Sequence, residues 1–415
     1  MLHRLVILSL LFISVQLQAQ QVLTLQTIME TAYKNNPTIN QARLELRILQ
    51  KSRYLQTGIE NPQLYYMKEG VERKSGSGFA EEQIGISQSI DFPLTSFFNY
   101  RAAHLETKAQ KKNLENISLQ LRSQVKQYYA VILYNQKIVD LRKKQLKVAE
   151  DLMHATQTRV EVGESSLLDL MKVEIELANA KSTLETAQQT EHTSRYELFN
   201  LIGLHPEDQV YSIQFTDSLT YTPHQILQKD AINRLAKMPA LKFHQLREQA
   251  SQQTLKASYS KILPDINISI YQQKFTNDYD YYGFEVGLDI PLWFLFNETP
   301  RIQIASANSK KITWKREETH LKLKKEIELA WHGYYDSQQQ IKRFVNIIRP
   351  KSQTLFALAF EGYEEGAIGL FEYLDTQRTH LLTEQNYLQA LLIYYTRIIQ
   401  LEKYMDTQYL LHVSL

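Results

Sequence analysis

The chain contains no cysteine, only 13 glycines and 10 prolines in 415 residues, and no excess of one charge, with 47 Lys and Arg against 45 Asp and Glu. Each shortage excludes something. Without cysteine there are no disulfides, thiolate metal sites or cysteine nucleophiles. Glycine and proline at about half their ordinary frequency leave too few turns for a protein of short strands, and point to a few very long helices. A formal net charge of +2 carries no polyelectrolyte signal, so nucleic acid is not an expected partner. A mean hydropathy of −0.37 with 22% charged residues excludes a bundle of membrane-spanning helices, each of which needs about 20 consecutive apolar residues. No GxSxG, HExxH, P-loop or GxGxxG motif is present, and Gly76-Ser77-Gly78 lacks both the third glycine and a following helix pattern. The 11 histidines have no metal-ligand spacing. Neither an enzyme, a cofactor nor a metal site is expected.

One stretch, Leu5 to Val15, is apolar enough to meet a membrane. It follows His3 and Arg4 and precedes Leu17-Gln18-Ala19, the pattern of a secretory signal peptide cleaved after Ala19. Beyond it the chain reads as if written twice. Pro37 and Pro239 stand 202 residues apart, as do Pro62 and Pro264; Asp91-Phe92-Pro93-Leu94 matches Asp289-Ile290-Pro291-Leu292; Val162-Gly163 with Asp169 matches Glu365-Gly366 with Glu372. The expected first repeat is 20–204, with a hairpin at 62–92 and long helices at 96–160 and 166–202. Residues 205–238 link it to a second repeat at 239–405, with a hairpin at 264–290 and helices at 300–362 and 370–405. A tail of 406–415 follows.

Ile84 to Phe92, Ile266 to Ile270 and Tyr282 to Ile290 alternate apolar with small or polar residues, so each strand has one apolar and one polar face. Leu64 to Gly70 alternates least well of the four. Segments of this length with Tyr65, Tyr66, Tyr279, Tyr281 and Tyr282 at their ends suit a transmembrane barrel with a polar interior. Four strands cannot close a barrel alone, so an oligomer is required. From Ser96 to Arg159 there is neither Pro nor Gly, enough for a helix of about 95 Å. Leu114, Ile117, Leu121, Val125, Tyr128 and Ile132 repeat at coiled-coil spacing, as do Leu170, Val173, Leu177 and Ala180 after Gly163. Pro350 should kink the third long helix.

These residues resemble the TolC family of outer-membrane efflux proteins from about Leu23 onward. Leu23-Thr24-Leu25-Gln26 through Asn36-Pro37 is similar to the family's N-terminal helix. Ile348-Arg349-Pro350 followed by Tyr363-Glu364-Glu365-Gly366 is similar to its signature before the last helix. The resemblance implies a mainly α fold with a membrane β-barrel: a homotrimer sharing one 12-stranded barrel in the outer membrane lipid, and a coiled-coil tunnel across the periplasm. It implies passive export of heavy-metal cations or drugs, with a periplasmic adaptor and an inner-membrane pump of the RND type as partners. Asp91, Pro93, Asp289 and Pro291 would mark the barrel–tunnel junctions. A periplasmic coiled-coil adaptor or a type I secretion channel are the alternative readings.

The turns at Gly163 and Gly366 should form the periplasmic tip. Glu372 and Asp375, three apart on one helix face, would make stacked acidic rings in a trimer, favouring cations. By resemblance they hold the family's gate positions, and Asp169 is a third candidate. Asp169 also fits a capping box with Ser166, and Glu372 could simply complement a helix N-terminus. Lys172 could reach Glu372 or Asp375 across the helix interface. Ile368 stands where some members of the family have a gate-locking arginine. Val162, Gly163, Glu164 and Ser165, with Glu365, Gly366, Ala367 and Ile368, are the expected adaptor contacts, or else plain helix caps built on a left-handed glycine.

Overall fold

A computed structural model describes residues 24–71, 79–204, 215, 217–276, 280–405 and 409. The expected signal peptide, the Gly76–Gly78 loop, Tyr279 and most of the tail lie outside them. The chain divides into two compact units that cut across the sequence halves: residues 1–37, 120–227 and 329–415 in the first, and 38–119 with 228–328 in the second.

The second unit carries the sheet. Strands β1 (Gln63–Glu69), β2 (Glu81–Ile90), β3 (Asp265–Phe275) and β4 (Asp280–Asp289) pair antiparallel in chain order, so β2 and β3 join the two halves. Leu64, Ile86, Ile270 and Phe284 stand in one row of the register. All four are exposed on the apolar face. The adjacent row on the opposite face reads Tyr65, Gly85, Tyr271, Gly283. Each tyrosine lies over the neighbouring glycine, where a Cβ would collide with its ring. The segment that alternates least, at Leu64, pairs along its whole length, because Leu64 and Tyr66 fall on the apolar side of that register. The outer edges of β1 and β4 have no strand partner among the described residues.

Around the sheet the second unit has α2 (Pro37–Ser52), α5 (Gln228–Ile232), α6 (Pro239–Ser260), and the first parts of α3 (Pro93–Glu161) and α7 (Phe294–Arg343). They close on small residues, with Ala102, Ala109, Ala250 and Ala257 buried. Thr95 and Ser260 hydrogen-bond at 2.9 Å inside this packing.

The first unit holds α1 (Leu25–Asn35), the rest of α3, α4 (Leu167–Ile202), the end of α7, α8 (Arg349–Glu364) and α9 (Leu370–Glu402). Thr24 caps α1 by accepting from the Thr27 amide, and Leu25, Ile28, Met29 and Ala32 form its buried stripe. Val173, Ala180, Ala187 and Ser194 bury at every seventh position of α4, the coiled-coil seam read from the sequence. The third long helix departs from the expected 300–362. It starts earlier, at Phe294, and it is not one α-helix: Phe344–Ile348 is a π-helical turn, and α8 restarts at Arg349. Pro350 has no N–H to give to the preceding turn, and the wider turn just before it accommodates that defect.

The end of the linker is a strap held by aromatic side chains. Tyr129 of α3 bonds Asp217 at 2.5 Å. Tyr395 and Tyr394 of α9 donate to the carbonyls of Thr220 (2.9 Å) and Thr222 (2.8 Å). From α7, Tyr334 and Gln338 both donate to the carbonyl of His224 at 2.6 Å, and Trp331 donates to that of Ile226 at 3.2 Å. A strap without secondary structure leaves its carbonyls unmatched, and these side chains supply the missing donors. Many of the chain's 25 tyrosines lie in helices, and this is what several of them do.

Candidate functional site

The two glycine turns of the first unit close in the same way. In one, Gly163 donates to Val160 and both Glu164 and Ser165 to Arg159; in the other, Gly366 donates to Tyr363 and both Ala367 and Ile368 to Gly362. Gly163 has φ +81 and Gly366 φ +75, left-handed values that only glycine adopts without cost, and no atom lies within 4 Å of where a Cβ would stand. The turns are therefore helix caps with an open outer surface. Val162 is 65% exposed, and Glu164, Glu365 and Ala367 are exposed, whereas Ser165 is half-buried.

Beneath the turns sits an aromatic core. Tyr373, almost wholly buried, stacks on Tyr363 with ring centres 5.1 Å apart, and Phe356 and Phe360 flank it. Burial pushes the Tyr373 hydroxyl up to about 12, with Tyr363 and the nearby carboxylates adding to the effect. Leu152, Val173, Ala359 and Leu370 complete the cluster, and Ile368 packs against it. Where an arginine lock was absent from the sequence, an apolar contact stands in its place. Arg159 lies over the Tyr363 ring, 5.3 Å from its centre, and donates to the Tyr363 carbonyl at 3.4 Å, which ties one turn to the other. A cavity of about 650 Å³ opens beside this core, walled by Leu152, Phe356, Phe360, Tyr363 and Tyr373, with Asp151 and Arg159 at its polar side.

The acidic candidates differ in how far they are already neutralised. Asp169 is a capping residue: its amide donates to Ser166 Oγ at 3.1 Å, and that hydroxyl donates back to its carboxylate at 2.8 Å. The Ser166 hydroxyl is the main reason its carboxyl sits below the ordinary value, with Lys172 assisting. Lys172 does not reach across to Glu372 or Asp375. Its Nζ lies 3.5 Å from Asp169, three residues back on α4, where the helical repeat already brings a carboxylate alongside. Asp375 pairs with Arg378 at 2.6 Å, again three residues along. The spacing Asp375-x-x-Arg378 is itself a signal in the sequence for this pairing. Glu372, exposed in the first turn of α9, has neither a hydrogen bond nor an ion pair among the described residues. Gly369, the N-cap of α9, offers no side chain, so the Glu372 carboxylate also complements the amide end of its helix.

The junction residues belong to the second unit. The Asp91 amide donates to the Gly58 carbonyl at 3.0 Å, and the Asp91 carboxylate meets Lys261 at 3.2 Å. Phe92 donates to the Asp265 carboxylate at 2.8 Å, just before Pro93 opens α3. Asp289 pairs in register with Asp265 and accepts from Asn267 at 2.6 Å. The Pro291 carbonyl accepts from Phe294 at 3.1 Å, starting α7. In each Asp-x-Pro the carboxylate at the strand end takes a side-chain donor, and the proline stands at the first residue of α3 or on the turn that leads into α7. Among the described residues, no group of His, Asp and Glu is arranged to hold a metal ion, and no helix is long and apolar enough to cross a membrane.

The profile of the outer membrane efflux protein family matches residues 28–204 and again 233–406. The chain is 24% identical over 254 residues to the outer membrane efflux protein BepC of Brucella suis, a match that covers 59% of this chain and 54% of that protein. The chain thus spans about half of BepC. It is 22% identical over 375 residues to the cobalt-zinc-cadmium resistance protein CzcC of Cupriavidus metallidurans, covering 89% of this chain and 86% of CzcC. Among solved structures, a membrane protein from Pseudomonas aeruginosa superposes with a TM-score of 0.78 at 17% identity, covering 94% of this chain and 92% of that one. The Campylobacter jejuni CmeC outer membrane channel superposes with a TM-score of 0.79 at 14% identity, covering 92% and 85%.

Proposed function

From the premise that the chain belongs to the outer membrane efflux protein family, we propose that it is the passive outer-membrane duct of a tripartite export system. Three copies share one barrel of twelve strands, and the helices continue it as a tunnel into the periplasm. The observation that carries this reading is the four-stranded sheet, with two unpaired outer edges and one exposed apolar face. In water such a sheet would aggregate, whereas closed with two more copies in lipid it leaves no edge and meets hydrocarbon. The double match of the family profile supports a tandem duplication of one half. A signal peptide cleaved after Ala19 delivers the chain.

The turns at Val162–Ser165 and Glu365–Ile368 dock the periplasmic adaptor, and through it an inner-membrane pump of the RND type. The gate lies at the same tip. Glu372 is its working carboxylate, since Asp375 is paired with the Arg378 cation and Asp169 with the Lys172 cation, the latter also bound by the Ser166 hydroxyl. A ring of three Glu372 carboxylates favours cations, which suits a heavy-metal cargo like that in the name of CzcC. Drug cations fit the same ring, and the pump makes the choice between them.

Single-channel recording in planar bilayers tests the assignment. Glu372→Gln should lower the preference for cations over anions, and Asp375→Asn should lower it less. A channel whose selectivity is the same with and without the Glu372 charge would remove that residue from the gate. A protein that forms no channel and no trimers in outer-membrane fractions would remove the duct.

A further inference from the structure

The segment that leaves the sheet is as unusual as the sheet itself. Leu292, Trp293, Phe294, Leu295 and Phe296 are five consecutive apolar residues, and all are exposed, by 77, 70, 40, 63 and 74%. Runs of this kind on a protein surface are a defect unless something covers them. The backbone bonds show what kind of cover is needed. Phe294 donates to Pro291, and both Phe296 and Asn297 donate to Trp293, so Leu292 and Trp293 form the turn that leads into α7 and Phe294–Phe296 begin the helix. Successive side chains on a helix turn by about 100°, so Phe294, Leu295 and Phe296 already point to different sides, and Leu292 and Trp293 on the turn before them widen the apolar surface. A second copy of the chain packs against one face and would leave the others in water. Lipid surrounds, and an apolar segment whose side chains point to several sides belongs in it.

The run is also continuous with the apolar face of β4, where Phe284, Val286, Leu288 and Ile290 are all exposed. It stops abruptly at Asn297-Glu298-Thr299, where Glu298 is buried and paired with Arg301 at 3.0 Å. An apolar block with a tryptophan near its edge and a polar boundary beyond it has the composition of a membrane–water interface.

We infer that residues 292–296 are a lipid-immersed collar: the membrane-facing surface does not end with the last strand residue but extends over the first helical turn of α7, with Trp293 and its neighbours among the acyl chains just below the phospholipid headgroups. This rests on the barrel reading above. It adds that part of the helical domain is embedded too, so that the bilayer fixes where α7 begins.

Tryptophan quenching tests it on the full-length protein reconstituted into phosphatidylethanolamine–phosphatidylglycerol vesicles whose acyl chains carry bromine either near the headgroup or near the chain end. The wild-type emission should be quenched, more strongly by the bromine near the headgroup. Trp293→Phe should abolish that quenching, and Trp314→Phe, which removes an exposed tryptophan farther along α7, should leave it intact. Phe284→Trp in the Trp293→Phe background reports on the strand face. If that probe is quenched while wild-type Trp293 is not, the barrel stands in the membrane and the collar does not, which overturns the inference. If neither is quenched, the barrel reading falls and takes the collar with it.

Discussion

Lys126, in the middle of α3, and Glu402, at the end of α9, form an ion pair that should be costly to break from either side but not to remove whole. The two lie at 2.9 Å with side chains 2% and 6% exposed, and the amide of Tyr409 donates a second hydrogen bond to the carboxylate. Burial drags the Lys126 ammonium below its ordinary value, and Glu402 opposes it. At that separation, with an effective dielectric constant of about 20, the attraction is about 6 kcal/mol, set against several kcal/mol of lost hydration for each ion. The pair as a whole therefore contributes little. Lys126→Met keeps the packing of the stem but takes the countercharge from a buried carboxylate, and should destabilise by about 3–5 kcal/mol. Glu402→Met should do the same by taking the countercharge from the buried ammonium. The double variant has no ion left to bury and should recover most of the loss, giving a coupling of at least about 2 kcal/mol. Urea unfolding of the detergent-solubilised protein, followed by far-UV circular dichroism, measures all four corners of the cycle. A double variant no more stable than the worse single variant would refute the reasoning, since it would mean that the cost lay in side-chain packing rather than in an unpaired charge.

Four further outcomes follow from other parts of the structure. Gly366→Ala meets no atom but must hold φ near +75, so it should cost about 1–2 kcal/mol of stability. Gly163→Val and Gly366→Val should abolish export in a sensitivity assay while trimers persist in the outer membrane, and export that survives both would dismiss the docking role. Tyr394→Phe and Tyr395→Phe each remove one donor to the strap, a loss of about 1 kcal/mol apiece, and should speed protease cleavage between residues 217 and 227; unchanged cleavage would mean the strap is held otherwise. His380 stacks on Phe356 at 4.8 Å and contacts Ser352 at 3.1 Å, and burial holds its imidazole below the ordinary value. The unfolded chain then takes up a proton at a higher pH than the folded one, so stability is full above about pH 6.5 and falls as the pH drops through it. The urea midpoint should decline toward about pH 5 in the wild type, and less in His380→Gln; parallel pH profiles would exonerate the histidine.

What the sequence made legible was whatever repeats or is local. The buried positions of α4 come every seven residues, and the strand faces alternate every two, so both elements were visible as patterns of residue type. Gly163 and Gly366 were visible because a left-handed turn between two long helices leaves glycine almost alone as a choice. The strap was not legible. Its bonds join Tyr129 to Asp217 and Tyr395 to Thr220 across intervals of 88 and 175 residues, and their acceptors are mostly backbone carbonyls, which leave no mark on the sequence. The same holds for Lys126 and Glu402, 276 residues apart: a lysine in a helix reads as a solvated face until its partner is known.

The candidate gate divides along the same line, and the division changes what it can do. Three carboxylates just beyond the two glycine turns, Asp169 and Glu372 in matched places and Asp375 one helical turn further, read alike in the sequence. Their neighbours separate them: Ser166 and Lys172 occupy Asp169, Arg378 occupies Asp375, and nothing described occupies Glu372. Two of those neighbours stand three residues away on the same helix, where the helical repeat makes their pairing a matter of arithmetic. An exposed ion pair is weak and salt-sensitive, so raising the ionic strength should free Asp375 from Arg378 while screening Glu372 as well. Arg378→Ala frees Asp375 without that screening. If the uncompensated carboxylate sets selectivity, Arg378→Ala should raise the cation preference of the channel and Glu372→Gln should lower it, and the double variant should fall between them, with Asp375 standing in for Glu372. Equal selectivity in all three would show that neither charge faces the permeating ion.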